Sequence, residues 1–263
     1  MKQYSDTITL IKNSRGVWDL DTSKGCSSGI AHNSKGCYGD CYACSNANRY
    51  GIDFSKTVLR YFESEKHRYN IIDQINHIDM PFVRIGVTGD PSENWSHTLN
   101  ICENILQCKM VLYKMYIKTI VIITKHWNNL TDVQLLRLSK LNVCVNTSVS
   151  ALDEINLLSN RLTQYNRLKK YCKSVLRIIS CSFNLNSQIG EGLNVIQNNL
   201  FMNEYVLDTV LRVSPNNTYV LNRVINIEKV KFMDKLSWAS VLNKNTYLGK
   251  CSKCPEMCGL IFN

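Results

Sequence analysis

Six short apolar runs constrain the fold of this chain more than any other feature. Most are rich in Val, Ile and Thr and are bounded by polar or turn-forming residues, a pattern typical of buried β-strands. Polar, helix-like stretches lie between them, at residues 96–115, 131–141 and 151–171. The six runs are GVWDLD (residues 16–21), FVRIGVTG (82–89), TIVIITK (119–125), VCVNTSV (143–149), SVLRIISCSF (174–183) and VLDTVLRV (206–213).

Strands that alternate with helices indicate a parallel β-sheet covered by helices. Six such units are fewer than the eight of a closed barrel, so we predict an α/β fold with an open, partial (β/α)6 barrel. In barrels of this kind the chemistry lies on the loops that follow the carboxyl ends of the strands. We divide the chain into an N-terminal segment (1–15), the barrel (16–225) and a short Cys-rich C-terminal extension (226–263).

The composition excludes several classes of protein. Hydrophobic residues make up 44% of the 263 residues and charged residues 20%, which excludes a disordered tail and a fibrous protein. No apolar run approaches the roughly 20 residues of a membrane span, and the first residues lack the apolar core of a secretion signal. We therefore expect a cytoplasmic protein with no membrane partner. The formal charge of +10 leaves two interpretations open, a polyanionic partner or lysines spread over solvated surfaces.

Three of the 12 cysteines, Cys37, Cys41 and Cys44, are crowded into the sequence GCYGDCYAC at residues 36–44. Their spacing is C-x3-C-x2-C. A disulfide would leave one of the three thiols unpaired, and disulfides rarely persist in the cytosol. Zinc sites usually begin with a C-x2-C pair that is followed by a second pair or by histidines. Three thiolates on a short loop can also hold three irons of a 4Fe–4S cluster and leave the fourth iron open.

This loop resembles the hallmark of the radical S-adenosylmethionine (SAM) superfamily, and the later motifs are loosely similar to the branch of spore photoproduct lyase and small phage radical SAM proteins. The resemblance implies that Cys37, Cys41 and Cys44 hold a 4Fe–4S cluster whose open iron binds SAM. It also implies a flavodoxin or ferredoxin as electron donor, and a 5′-deoxyadenosyl radical that removes hydrogen from a substrate. The family's aromatic residue before the third cysteine is Ala43 here, and Tyr42 lies one position earlier.

The resemblance further implies a set of SAM contacts. In VTGDPSENW (residues 87–95), Gly89 would permit close backbone approach and Asp90 would bind the amino group of SAM, although a plain Gly-Asp-Pro turn is the alternative. Asn146 and Ser148 alternate to one face and could bind ribose hydroxyls or the SAM carboxylate, or could be buried polar residues satisfied by their neighbours. The predicted cofactor contacts are Tyr42, Thr88, Gly89, Asp90, Asn146, Ser148, Arg177 and Ser180.

A second cysteine group, Cys251, Cys254 and Cys258, has the spacing C-x2-C-x3-C in KCSKCPEMCG at residues 250–259. Many radical SAM enzymes carry an auxiliary 4Fe–4S cluster in a C-terminal extension, and this segment is similar to one. Cys26, which precedes the first triplet, is our candidate for its fourth ligand. A four-thiolate zinc site is the alternative.

Two classes of function follow. The first is a radical SAM enzyme whose substrate is a nucleic acid, as the positive charge indicates, or a peptide, as the auxiliary cluster indicates. The second is a non-enzymatic, zinc-stapled basic module that binds nucleic acid, in which both cysteine groups are structural. Metal content separates the two, because the enzyme needs iron and sulfide and the module needs only zinc.

Overall fold

A computed structural model describes residues 4–29, 36–106, 118–217, 220, 225–232, 238–242 and 246–261. Its central sheet has seven strands and is flanked by two small sheets of two and three strands. The central strands, in spatial order, are β1 (Ile11–Lys12), β2 (Trp18–Asp19), β5 (Phe82–Ile85), β6 (Thr119–Thr124), β7 (Val143–Val149), β8 (Lys173–Ser180) and β9 (Val206–Val210). The small sheets pair β3 (Ser23–Lys24) with β4 (Val58–Leu59), and β12 (Trp238–Ser240) with both β10 (Arg212–Val213) and β11 (Val230–Phe232).

The central sheet is mostly parallel. Strands β2 and β5 to β9 all run in one direction, and only β1 is antiparallel to its neighbour. Each of the six predicted apolar runs supplies one parallel strand, which confirms the α/β class. The two edge strands, β1 and β9, do not pair with each other, so within the described residues the sheet is open. Strand β1 lies within residues 1–15, the N-terminal segment that the sequence analysis places outside the barrel.

The described residues contain six α-helices, which lie between the strands. They are α1 (Tyr42–Arg49), α2 (Glu65–His77), α3 (Trp95–Leu106), α4 (Asp132–Leu138), α5 (Ile155–Leu168) and α6 (Gln188–Phe201). Helix α4 begins where the sequence favours it, because the Thr131 hydroxyl accepts from the Gln134 amide and the Gln134 side chain accepts from the Thr131 amide. Of the helix expected at residues 96–115, the part from 107 onward lies outside the described residues.

The core lies between the parallel strands and the helices that cover them. All seven residues of β7 are buried, as expected for a strand with protein on both faces. Leu99 of α3 and Leu135 of α4 are also fully buried against this sheet. Truncation of such a side chain to alanine removes about 2–5 kcal/mol of stability. Continuous burial explains why these strands read as unbroken apolar runs in the sequence.

The parallel arrangement brings several loops to one edge of the sheet. Because β5 to β8 point the same way, residues that follow their carboxyl ends, such as Gly86, Lys125 and Ser150, meet at that edge. None of the helices in the described part of the chain is long and apolar enough to span a lipid bilayer.

Candidate functional site

A cavity of about 300 Å³ opens at the carboxyl end of the parallel strands. Cys37 and Cys41 line it from the cysteine loop, and Asp90, Lys125 and Ser148 line it from the ends of β5, β6 and β7. A volume of this size lies at the lower end of the range for small-molecule sites. The first cysteine group is therefore next to a cavity that a cofactor or substrate could enter.

The three cysteines of the first group surround the start of helix α1. Cys41 is the N-cap residue of this helix, and its thiol accepts hydrogen bonds from the backbone amides of Ala43 and Cys44. The Cys44 thiol is buried and accepts from Asn48 Nδ2 at 3.8 Å. Amides at a helix start stabilise negative charge, so these two hydrogen bonds lower the Cys41 pKa against the larger effect of burial.

The environment of these thiols favours the protonated form unless a metal is bound. Burial raises the pKa of Cys37, Cys41 and Cys44. Each thiol is also close enough to another of the three for its negative charge to raise that neighbour's pKa. The Lys125 ammonium acts in the opposite direction on Cys37 and Cys41. A metal would offset the cost of bringing three thiolates together, because it replaces their protons.

The sequence analysis places Cys26 with the C-terminal cysteines. In the structure it lies with the first group instead. It is 6% exposed, lines the same cavity and packs in one buried cluster with Cys41 and Cys44. The reason is its backbone: the amide of Gly25 donates to the Thr88 carbonyl just beyond the end of β5, 3.0 Å away. This hydrogen bond holds the loop at the carboxyl edge of the sheet.

A buried network of charged and polar groups, which sequence reasoning missed, fixes the cysteine loop. The Tyr38 hydroxyl donates to Asp153 at 2.5 Å and accepts from Lys125 Nζ at 2.5 Å. Arg161 Nη1 lies 2.7 Å from the other Asp153 oxygen. Although burial alone would raise the pKa of Asp153, Lys125 and Arg161 lower it, so this carboxylate is ionised. Lys125 and Asp153 lie just after the ends of β6 and β7, and this position in the sequence could have identified them as candidate site residues.

The backbone of the cysteine loop is strained at Tyr38. This residue has φ of 58°, in the left-handed region, and lies between Gly36 and Gly39, which also have positive φ. Such a conformation costs a non-glycine residue about 1–3 kcal/mol and persists only where the surroundings enforce it. Here the buried network holds the ring, and Asn217 Nδ2 donates to the Tyr38 carbonyl at 2.9 Å. The adjacent Cys37 is thereby held at the cavity.

The predicted SAM motif at residues 88–90 has a structural role in the fold. The Thr88 amide and hydroxyl both donate to Asp21, a buried carboxylate that sequence reasoning missed. At Gly89 a Cβ would lie 2.7 Å from the Ser23 carbonyl oxygen, so the close approach that glycine permits is to the chain itself. Gly89 and Asp90 line the cavity, and Thr88 is not among its lining residues.

The Asp90 carboxylate is already occupied by protein donors. One oxygen accepts from the amide and hydroxyl of Ser92 and from the Thr124 hydroxyl, at 2.7–2.9 Å. The other accepts from the Lys125 amide at 2.8 Å. These contacts join the loops after β5 and β6. They match the interpretation of Gly-Asp-Pro as a structural turn, which the sequence analysis gives as the alternative to a SAM contact.

The remaining predicted contacts divide between the cavity and the protein interior. Ser148, Arg177 and Tyr42 line the cavity, and the Tyr42 side chain is 70% exposed. Asn146 donates instead to the Cys258 carbonyl at 2.9 Å, and Ser180 donates to Asp208. Asn146 and Ser180 therefore match the interpretation of buried polar residues satisfied by neighbours.

The C-terminal cysteines lie together at the opposite, amino end of the parallel strands. Burial raises the pKa of Cys258, and among the nearby groups Cys251 and Cys254 raise it further. The amide of Ser252 donates to the carbonyl of Arg15, just before β2, at 3.1 Å. The Asn146 contact fixes the other end of the segment against β7. The fold thus brings the three C-terminal thiols together but separates them from Cys26.

Arg177 lies between the two cysteine groups. Its exposed surface faces the cavity, and its guanidinium is also close enough to Cys258 and Cys251 for their negative charges to raise its pKa. Burial outweighs this effect and lowers the Arg177 pKa. Its Nε donates a hydrogen bond to the Thr209 hydroxyl at 3.0 Å. Arg177 is partly buried and forms no ion pair with a carboxylate of the described residues, so its charge favours negative charge on the neighbouring sulfurs.

Each end of the sheet carries a group of free thiols. No disulfide joins the cysteines that the structure describes. No three His, Cys, Asp or Glu side chains of the described residues converge on one point where a single metal ion could bind. A 4Fe–4S cluster makes a different demand, because each thiolate binds its own iron. Comparison of the chain with protein-family models, with curated proteins and with solved structures finds no match.

Proposed function

We propose that this chain is a radical SAM enzyme with a partial (β/α)6 barrel. One observation carries the proposal: three thiols with the spacing C-x3-C-x2-C lie on a loop that is held beside a cavity at the carboxyl end of a parallel sheet. This is the edge at which α/β folds of this class bind ligands. The sequence resemblance and the placement of the loop support the proposal independently of each other.

Cys37, Cys41 and Cys44 would hold the 4Fe–4S cluster, since they are the thiols of one loop and each influences the pKa of another. When bound, such a cluster supplies an open iron for SAM and the electron that cleaves it. Lys125 and Arg161 carry two positive charges against one on Asp153. Both cations lower the pKa of Cys37 and so favour its thiolate.

The cavity walls position a ligand and exclude water. Trp127, Ile179 and Leu211 provide apolar surface, while Ser148 and Arg177 supply polar groups deeper along the strands. A few convergent polar groups in an otherwise apolar wall are typical of small-molecule sites. We assign the SAM polar contacts to Ser148 and Arg177, because the Asp90 carboxylate is already occupied by protein donors.

We also propose a second metal group on Cys251, Cys254 and Cys258, and we favour a 4Fe–4S cluster over zinc. The partly buried charge of Arg177, which is close to Cys251 and Cys258, supports a negatively charged group here, whichever metal is bound. A flavodoxin or ferredoxin remains our proposed electron donor. A nucleic acid or a peptide remains the proposed substrate, and salt-sensitive retention on DNA or RNA would favour the first.

The test is anaerobic reconstitution with iron and sulfide, followed by SAM and dithionite, with detection of 5′-deoxyadenosine. We expect the wild-type chain to form it and the C37A/C41A/C44A variant to lose both the product and the visible absorbance of that cluster. Cys172→Ser is a matched control, because Cys172 belongs to neither group. Cleavage of SAM by the triple variant would contradict the proposal.

One observation bears on the second function, a zinc-stapled basic module. Cys26 provides a fourth thiol beside the first triplet, and four cysteines are a common ligand set of structural zinc. Among the described residues, however, these thiols do not converge on one point as a zinc site requires. Metal analysis of protein purified without air decides between the two functions. One or two zincs per chain and no iron would support the module and exclude the enzyme.

A further inference from the structure

We propose that Cys26 is the fourth thiolate ligand of the iron–sulfur group held by Cys37, Cys41 and Cys44, and that SAM displaces it. The inference rests on the proposed function and concerns how the open iron of that same site is occupied before SAM binds. Neither the cysteine spacing nor the family resemblance assigns Cys26 to this position. The assignment comes from where the fold places the Cys26 sulfur.

The Cys26 sulfur is held close to the triplet. A Cβ built on Gly29 would lie 2.6 Å from Cys26 Sγ and 3.9 Å from Cys37 Sγ. The two sulfurs are therefore within about 6.5 Å of each other, the sum of those distances. A disulfide would require about 2 Å, and none is present. Within this bound the two thiols could bind different irons of one cluster.

Two features keep the Cys26 sulfur at the cavity. The amide of Cys26 donates to the Phe54 carbonyl at 2.9 Å, and the amide of Gly29 donates to the Cys26 sulfur at 3.1 Å. A side chain at position 29 would displace that sulfur, because its Cβ would lie 2.6 Å from Cys26 Sγ. The Gly29 amide stabilises negative charge on this sulfur. Burial and the carboxylates of Asp90 and Glu93 raise the Cys26 pKa, so a bound metal is what would hold it as a thiolate.

Glu93 is an acceptor for the Cys26 thiol when that sulfur carries a proton. Its carboxylate accepts from the Ser27 hydroxyl at 2.7 Å and from the Ser28 amide at 3.1 Å, and the Cys26 thiol lies 3.5 Å from the same carboxylate. The exchange balances in protons. The ammonium group of SAM loses one proton when its nitrogen binds iron, and the departing Cys26 thiolate gains one and donates its S–H to Glu93.

The experiment isolates the first site by using the C251S/C254S/C258S background, with and without Cys26→Ala or Cys26→Ser. All three proteins are reconstituted anaerobically, and circular dichroism confirms that they fold. Iron content, the electron paramagnetic resonance spectrum of the reduced cluster, and SAM affinity are then measured. The Cys172→Ser change in the same background is the control for loss of an unrelated thiol.

We expect all proteins to hold about four irons, because three thiolates suffice. Without SAM, the Cys26 variants should show a different resonance spectrum and lose iron to a chelator several-fold faster. They should bind SAM about tenfold more tightly, because no ligand has to leave first. With SAM bound, the spectra of variant and parent should coincide.

Two outcomes separate failure of this inference from failure of the proposed function. If the Cys26 variants match the parent in spectrum, chelation rate and SAM affinity, Cys26 is not a ligand and the inference is overturned, while the enzyme proposal stands. If the parent itself binds zinc and no iron, the proposed function fails and this inference fails with it.

Discussion

At the scale of single residues, buried ions decide how firmly the cysteine loop is held. The Asp153 side chain is 4% exposed and lies within 4 Å of two cations, Lys125 and Arg161. Such a group is costly to bury alone and stabilising only when its partners remain. The loop therefore depends on a pairing among three segments of the chain.

Replacing Asp153 with asparagine removes the anion and leaves Lys125 and Arg161 buried without it. We expect the free energy of unfolding in urea to fall by about 3–5 kcal/mol. Asp132→Asn is the control, since Asp132 pairs with Arg167 but is 85% exposed, and it should cost less than about 1 kcal/mol. Equal losses in the two variants would contradict the assigned role of Asp153.

His126 should make the protein sensitive to acid. Burial, and then the charge of Arg161, lowers its pKa to about 3, whereas an unfolded histidine titrates near 6.5. As the pH falls below about 6.5, the unfolded state gains a proton that the folded state cannot take, so stability decreases. Between pH 7 and pH 5 this amounts to about 2 kcal/mol.

The His126→Asn variant should lack this component of the pH dependence. Asparagine suits the left-handed backbone at this position, where φ is 50°. Urea unfolding at pH 7 and pH 5 provides the comparison. The prediction fails if both proteins lose the same stability between the two pH values.

At the scale of elements, the turns between strands and helices have stricter requirements than the helices. Gly86 follows β5 with φ of 93°, and a Cβ there would lie 2.0 Å from the Ile123 carbonyl oxygen. Gly192 lies inside α6, where a Cβ would meet nothing within 4 Å. The same substitution should therefore have opposite effects at the two positions.

We expect Gly86→Ala to destabilise the protein by at least about 2 kcal/mol, because neither the left-handed backbone nor the neighbouring carbonyl can adjust cheaply. Gly192→Ala should stabilise it by up to about 1 kcal/mol, since alanine is the better helix former. Thermal and urea unfolding of both variants measure the difference. A neutral Gly86→Ala would show that this turn is not as tightly packed as described.

The sequence predicts the long elements and misses the short ones for a physical reason. Strands such as β7 are buried along their whole length, so their apolar runs are visible without knowledge of their partners. Strands β3 and β4 have two residues each, too few to show a period, and they exist only because the fold pairs them. Local pattern is informative where burial is continuous.

In the candidate site, too, some features are visible in the local sequence and others arise only from the fold. The spacing of Cys37, Cys41 and Cys44 is local and was visible in the sequence. The contact of Tyr38 with Asp153 spans 115 positions, and only the fold brings the two together. Likewise, the sequence could not show that protein donors occupy the Asp90 carboxylate, since Thr124 lies on another strand.

At the scale of the whole molecule, two cysteine groups lie at opposite ends of one sheet. The two groups should bind iron independently of each other, because no cysteine belongs to both. We expect about eight irons per chain in the reconstituted wild type and about four in either C37A/C41A/C44A or C251S/C254S/C258S. Iron, sulfide and zinc are measured on the same samples. A C-terminal variant that keeps all its iron would contradict the second cluster.

The segment that carries the C-terminal cysteines touches distant parts of the chain at once: Arg15 ahead of β2, Asn146 within β7 and Lys173 at the start of β8. It connects the amino ends of strands that otherwise contact one another only through the sheet. If this segment detached, solvent would reach the interior from the amino end of the strands. Amide hydrogen exchange in the buried strand β7 should then be slower when the C-terminal cysteines bind metal and faster when they do not.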